Sequence, residues 1–340
     1  MISKFTQKLT RAILVLSTTS LFSSFAIAEE TLRLSYFGGP QGTTYAKAIK
    51  PWVEAINADG EGVLKIDAFP GGALVGNPRG QVKALTDGVA DIAFVVFSYT
   101  PGRFPDNGVL ELPTLYENVH ESSGVIRALY NEGMLGGFDD FYVPMIVTTF
   151  PYNFHTKEPV GSIADLKGLK IRAGGPVAGA ALEALGAVPV GMPAPAIAEN
   201  ISKGVIDGAA TDWSVLYSFR IDQVAPNHYM QLFSTVPIGL MMTKKRFAAL
   251  TPEAQALIEK YSEKWIEDAY KTSTHEAQES FIAKNKSTDG HVIVYPTDED
   301  KAAYDTIMND VVQQWIKGGD GRAETLEFVR TELDRIRSSK

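Results

Sequence analysis

The chain has 340 residues, no cysteine, and a formal net charge of −8 from 40 acidic and 32 basic residues. Lack of cysteine removes disulfides, thiolate metal sites and cysteine nucleophiles, and the acidic balance argues against nucleic acid, which selects a basic footprint. A chain of this length can bury a large core and commonly divides into two domains.

Residues 1–28 read as a secretory signal peptide. Lys4, Lys8 and Arg11 form a basic start, an apolar run follows from Ala12, and Ala26-Ile27-Ala28 is an A-x-A cleavage site. Ser and Thr interrupt the apolar run, and no later stretch approaches the roughly 20 apolar residues of a membrane span. The mature chain is expected to start near Glu29, with a charge of −11 because three basic and no acidic residues leave. It is expected in the periplasm and not itself embedded in a membrane.

Leu32–Tyr36 alternates as a strand does, and Phe37-Gly38-Gly39-Pro40 turns it. Tyr45, Ile49, Trp52, Val53 and Ile56 have helical spacing, with a kink expected at Pro51. Val63–Phe69 alternates again, so the rhythm is βαβ and implies a mostly parallel sheet. Asp91–Phe97 is a nearly continuous apolar strand, buried on both faces. A helix over Glu117–Gly133 and a strand over Phe141–Phe150 follow.

The stretch from Asp165 to Trp213 reads as strand (Leu169–Arg172), glycine turn (Gly174-Gly175-Pro176), helix (Val177–Leu185), strand (Ala187–Val190), helix (Pro195–Lys203) and short loop. Another strand is expected near Pro237–Thr243. Thr251-Pro252 starts a helix that carries Leu257, Ile258, Tyr261, Trp265, Ile266 and Ala269 on one face and continues to about Lys284. A short strand over His291–Tyr295 and helices over Tyr304–Trp315 and Glu324–Ile336 close the chain.

Arg172 stands where a strand ends and a glycine turn begins, the place where open α/β sheets collect ligands. A planar guanidinium there can hold a carboxylate with two parallel hydrogen bonds; the alternative is an arginine closing a strand, or paired with Asp165 or Glu183. Catalytic patterns are absent from the sequence. The five histidines show no paired metal spacing, and there is neither a G-x-S-x-G elbow nor a P-loop. No enzyme activity, cofactor or metal is therefore expected.

The phrase DLKGLKIR…GGPVAGAALEALGAVPVGMP…GVIDGA…DW resembles the solute-binding subunits of TRAP (tripartite ATP-independent periplasmic) transporters, and the resemblance runs over essentially the whole mature chain. It implies an α/β, two-lobed periplasmic-binding-protein architecture with a hinged ligand cleft and a long helix spanning both lobes. Residues 29–149 plus 237–276 would form the N-terminal lobe, and 150–236 plus 277–340 the C-terminal one.

In that family the arginine of the LKGLKIR segment binds the ligand's carboxylate, a role that falls to Arg172. Trp213 follows Asp207-Gly208 at the spacing of the family's DG-x-x-N-P-W segment, but Thr211-Asp212 replace asparagine and proline. Thr211 keeps one hydroxyl where the family has a ligand-contacting amide, and Trp213 is either near the ligand or core. Some members carry a second arginine at the place occupied here by Tyr152, which with Phe154 and His155 could supply stacking and hydrogen bonds instead; Phe154 is equally a candidate for hinge core. The first lobe offers Phe37 on its first loop, and Phe97 and Tyr99 in the segment Val96-Phe97-Ser98-Tyr99, which is uncharged where some relatives carry acidic contacts. Arg103, in a Pro-Gly-Arg-Phe-Pro loop, either faces the cleft or is solvated.

One arginine among aromatic walls suggests an apolar or aromatic monocarboxylate. The expected function is a receptor delivering a small organic acid to the membrane subunits of a TRAP permease. A periplasmic enzyme acting on a small acid, and a binding protein serving a sensor or an ABC importer, are the alternatives.

Overall fold

The structure, a computed structural model, describes residues 29–339; the expected signal peptide lies outside them. Two sheets organise the chain. The first holds β1 (Glu30–Ser35), β2 (Leu64–Phe69), β3 (Ile92–Val96), β4 (Phe141–Thr148) and a strand from much later, β10 (Pro237–Thr243). Their order is β2-β1-β3-β10-β4, with β1, β2 and β3 parallel and β10 antiparallel to both its neighbours. The second holds β5 (Asn153–Thr156), β6 (Lys170–Ala173), β7 (Val188–Gly191), β8 (Gly208–Thr211), β9 (Asn227–Tyr229) and β11 (Val292–Val294), in the order β11-β9-β5-β8-β6-β7. Each sheet is the floor of one lobe, as the two-lobed α/β expectation requires.

Helices α1 (Lys50–Asp59), α2 (Gln81–Thr86) and α3 (Val119–Asn131) belong to the first lobe, and α4 (Pro176–Ala184), α5 (Ile197–Ser202) and α6 (Trp213–Ser218) to the second. Then come α7 (Lys244–Ala248), α8 (Pro252–Tyr261), α9 (Lys264–Lys286), α10 (Asp298–Lys317) and α11 (Arg322–Ser338). Among the described residues no helix is long and apolar enough to cross a membrane.

The chain crosses between lobes first after β4 and again before β10, and the two crossings are bonded to each other. Thr149 N–H donates to Val236 O (2.9 Å), Tyr152 N–H to Ser234 O (2.8 Å), and Phe233 N–H to Tyr152 O (2.9 Å). A paired two-strand hinge permits bending and resists shear. The third connection is α9, which packs on β4 and α3 at one end and on α6 and β11 at the other.

Four expectations change. The helix at Tyr45 does not simply kink at Pro51: a π-helical turn, Tyr45–Ile49, precedes α1. Pro51 lacks an N–H and its ring would collide with the carbonyl four residues back, and a widened turn removes both conflicts. The expected continuous helix from Pro252 to Lys284 is broken. Ser262 is extended and Glu263 has a φ of 52°. Tertiary bonds hold the break, because Trp52 Nε1 donates to Tyr261 O (3.0 Å) and Glu263 N–H to Pro144 O (2.6 Å). The break also rotates the apolar face, leaving Trp265 38% exposed while Ile266 is buried.

The expected loop before Trp213 contains strand β8. Gly208 is required there, since a Cβ would lie 2.5 Å from His155 O on the neighbouring strand. Finally, segment 277–340 does not all accompany the second lobe. α10 packs on α4, but α11 packs on α3, burying Leu326, Val329 and Leu333 against first-lobe side chains.

Candidate ligand site

A cavity of about 50 Å³ lies between the lobes, several times the roughly 10–15 Å³ that one water needs. The ends of β1 and β3 supply Tyr36, Phe37, Phe94 and Val96. The hinge supplies Thr149, Tyr152 and Val236, and α9 supplies Tyr270. From the second lobe come Arg172 at the end of β6 and Asp212, Ser214 and Val215 at the start of α6. The floor is thus built from strand ends and one helix N-terminus, where α/β folds place ligands.

Arg172 is 1% exposed and makes no ion pair with a described residue. Neither alternative partner takes it: the Asp165 carboxylate accepts from Gly161 and Ser162 N–H (both 2.9 Å), and Glu183 is exposed. Arg172 Nε donates to Met192 O (3.0 Å), Nη1 to Ala210 O (3.2 Å) and Nη2 to the Tyr99 hydroxyl (3.1 Å). The Tyr152 ring centroid lies 6.0 Å from its Cζ. A guanidinium has five N–H groups, so these neutral acceptors fix its plane without exhausting its donors or cancelling its charge. A buried cation in that state favours an incoming anion.

Tyr99 closes the site from the first lobe. Its oxygen accepts from Arg172 and from Ala194 N–H (2.9 Å). With both lone pairs occupied, its own proton is free to be donated. Tyr152 is fully buried, and desolvation raises its hydroxyl pKa well above the ordinary tyrosine value, so it is neutral.

Two buried carboxyls sit in the field of Arg172. Asp212 caps α6, accepting from Val215 N–H at 3.0 Å through Oδ1. Burial pushes its pKa up to about 6, opposed by backbone N–H groups and by Arg172. Its Oδ2 is buried with no partner. Glu111, on the 3₁₀ segment Pro105–Glu111 of the first lobe, reaches the N-terminus of α4 in the second. Its Oε2 accepts from Val177 N–H (3.0 Å) and Ala178 N–H (3.3 Å). Gly175 makes room, since a Cβ there would lie 2.1 Å from Oε1. Burial pushes the Glu111 pKa up to about 7.

Of the residues singled out in the sequence, Arg172, Tyr152, Phe37 and Tyr99 line this cavity. The others lie elsewhere. Phe97 packs on Phe104 and Phe138 with centroids 4.9 and 5.1 Å away. Phe154 packs on Phe233 at 5.0 Å in the hinge core. Thr211 is buried in β8, opposite Asn153. Trp213 donates from Nε1 to Asn153 Oδ1 (3.2 Å) and packs edge-to-face on His155 and tilted against His228 behind the strand. Arg103 pairs with Asp140 (2.8 Å) at the surface.

His155 is part of that rear layer. Its Nε2 contacts Thr211 O (3.2 Å), its Nδ1 contacts His228 Nδ1 (2.8 Å), and His228 Nε2 contacts His291 Nδ1 (3.1 Å). A carbonyl only accepts, so His155 donates from Nε2. His228 then donates to His155 and accepts from His291.

Sequence reasoning missed Asp212, Ser214, Glu111 and Tyr270. A signal existed for Asp212, an Asx residue directly before a short apolar helix.

An anion-seeking arginine in a cavity between two hinged α/β lobes is the arrangement of an extracytoplasmic solute-binding protein. Over residues 35–318 the chain matches the family described as bacterial extracellular solute-binding protein, family 7, and it belongs to that family. One solved relative is a marine-metagenome TRAP solute-binding protein specific for aromatic acid ligands, in complex with metahydroxyphenylacetate. It is 27% identical with a TM-score of 0.84, covering 90% of this chain and 99% of that one. A TRAP solute-binding protein from Rhodoferax ferrireducens T118, in complex with copurified benzoate, is 28% identical with a TM-score of 0.81, covering 91% and 99%. Among sequences, the 2,3-diketo-L-gulonate-binding periplasmic protein YiaO of Escherichia coli K12 is 24% identical, covering 91% of this chain and 94% of that protein. The family is one of TRAP solute receptors that bind small organic acids, and its members are binding proteins rather than enzymes.

Proposed function

We propose that the protein is a periplasmic receptor that captures an apolar or aromatic monocarboxylate between its lobes and delivers it to the membrane subunits of a TRAP permease. Arg172 takes the carboxylate, Tyr99 donates to it from the opposite lobe, and the aromatic rings of Phe37, Phe94 and Tyr152 enclose the body. The observation that carries this reading is the buried guanidinium of Arg172, hydrogen-bonded to neutral acceptors and in no ion pair among the described residues. A dicarboxylate would leave its second charge against aromatic walls, at a cost of several kcal/mol. The aromatic acids bound by the two solved relatives support the same ligand class.

A thermal-shift screen against mono- and dicarboxylates, sugar acids and keto acids tests it, because a ligand that binds only the native state raises Tm by mass action. Aromatic monocarboxylates should give the largest shifts, and Arg172→Ala should abolish them. Shifts confined to dicarboxylates, or retained in the variant, would refute the assignment. Delivery to a permease is tested separately, by loss of acid uptake when the gene is deleted.

A further inference from the structure

Two polar atoms lining the cavity have nothing to bond to. Asp212 Oδ2 and Ser214 Oγ are both buried and both without a partner. Buried polar groups are almost always satisfied, and an orphaned one costs free energy comparable to a lost hydrogen bond. Asp212 cannot turn away, because its other oxygen is committed to Val215 N–H as the cap of α6. Ser214 lies one turn position further along the same helix start.

The two atoms are complementary in type. A carboxylate oxygen accepts only, and a serine hydroxyl can donate. A ligand hydroxyl both donates and accepts, so one such group can satisfy both. An ammonium could not: it has three protons and no lone pair, and would leave the Ser214 proton unmet. A bare hydrocarbon would leave both orphans in place.

We infer that Asp212 and Ser214 form a hydroxyl-reading subsite, and that the preferred ligand is a monocarboxylic acid bearing a hydroxyl group, its carboxylate on Arg172 and its hydroxyl between Asp212 Oδ2 and Ser214 Oγ. This rests on the carboxylate reading of Arg172 and narrows it. The subsite sits where the family segment quoted above has proline in place of Asp212, so it distinguishes this chain from that pattern.

The test is calorimetry of the purified protein with two matched sets: benzoate against 3-hydroxybenzoate, and phenylacetate against mandelate and phenylglycine. In at least one set the hydroxylated acid should bind about tenfold to a hundredfold tighter than its parent, the range expected when buried polar groups go unpaired. Asp212→Asn keeps the helix cap and turns the free acceptor into a donor. It should bring that ratio to near one; the ratio is the readout because removing a charge beside Arg172 alters the affinity for both acids alike. Ser214→Ala leaves the cap intact, should reduce the ratio too, and decides the matter if Asp212→Asn does not fold.

Equal affinity for parent and hydroxylated acids in both sets overturns the subsite and leaves the receptor reading standing. So does a preference for phenylglycine over mandelate, or a ratio unmoved by either variant. If no acid of either set binds, the carboxylate reading falls and the subsite falls with it.

Discussion

Glu111 is a first-lobe carboxyl buried against a second-lobe helix, so its protonation is coupled to closure. In the closed arrangement its Oε2 receives two N–H groups from the start of α4, and burial still lifts its pKa from 4.5 to about 7. If opening returns it to water, the closed form binds more protons than the open form between those values. The contribution of Glu111 to closure is then complete below pH 4.5 and is lost as pH rises through about 7. A displacement of this size corresponds to at most about 3 kcal/mol. Between pH 5.5 and 7.5 it amounts to about 2 kcal/mol, an order of magnitude in affinity for any ligand whose binding requires closure.

Glu111→Gln keeps an acceptor for both N–H groups and removes the titration. The assay is Kd for a bound acid at half-unit intervals from pH 5.5 to 7.5, in wild type and variant. Their ratio removes contributions from other groups. Wild type should weaken about tenfold more than the variant across this window. A pH-independent ratio would refute the reasoning, as would a variant uniformly weaker at every pH; the latter would mean that the charge acts as a favourable cap on α4.

Other consequences are as direct. Gly175→Ala places a methyl group on the Glu111 carboxylate, so it should weaken binding by about fivefold to a hundredfold, from the roughly 1–3 kcal/mol typical of overpacking, while Tm without ligand changes little. A Kd within threefold of wild type would contradict the tight interlobe approach. Burial lowers the pKa of His155 and of His228 below the ordinary 6.5. The unfolded chain therefore binds the extra protons, and each histidine removes up to about 1.4 kcal/mol of stability per pH unit as pH falls below 6.5. Urea unfolding at pH 7 and 5 should show this loss, smaller in His155→Gln; an identical pH dependence in the variant would exclude the chain of neutral histidines. Glu267 receives Ile146 N–H (2.9 Å) and pairs with Arg127, anchoring α9 just past the helix break. Glu267→Ala should cost roughly 2 kcal/mol, because Ile146 N–H loses its acceptor and Arg127 keeps only the exposed Glu263, 3.6 Å away, and a Tm within two degrees of wild type, about 1 kcal/mol at this size, would show that the anchor is idle.

The elements visible in the sequence were those punctuated by glycine and proline. β6, the Gly174-Gly175-Pro176 turn and α4 were legible because a strand's apolar run, a breaker and a helical spacing follow one another directly. The α8–α9 break was not, because no glycine or proline marks it; it is held by Trp52 and Pro144, distant in sequence. Within the cavity the misplacements have two causes. In β3 strand parity decides: Phe94 and Val96 line the cavity, whereas Phe97 turns to the opposite core. After β8 the start of α6 decides: Asp212, Ser214 and Val215 line it, whereas Trp213 packs in the second-lobe core. A resemblance locates the segment, but the faces became definite only when β8 was paired to β5 and β6 and α6 was seen to start at Trp213. Arg172 escaped this ambiguity because its position within the LKGLKIR segment is itself part of the pattern.

The most direct measurement is a crystal structure of the protein with the acid that gives the largest thermal shift. The account predicts a ligand carboxylate within hydrogen-bond distance of Arg172 Nη1 or Nη2 and of the Tyr99 hydroxyl, with the lobes closed as described. An acid bound elsewhere, or one in this cavity with its carboxylate turned away from Arg172, would contradict it.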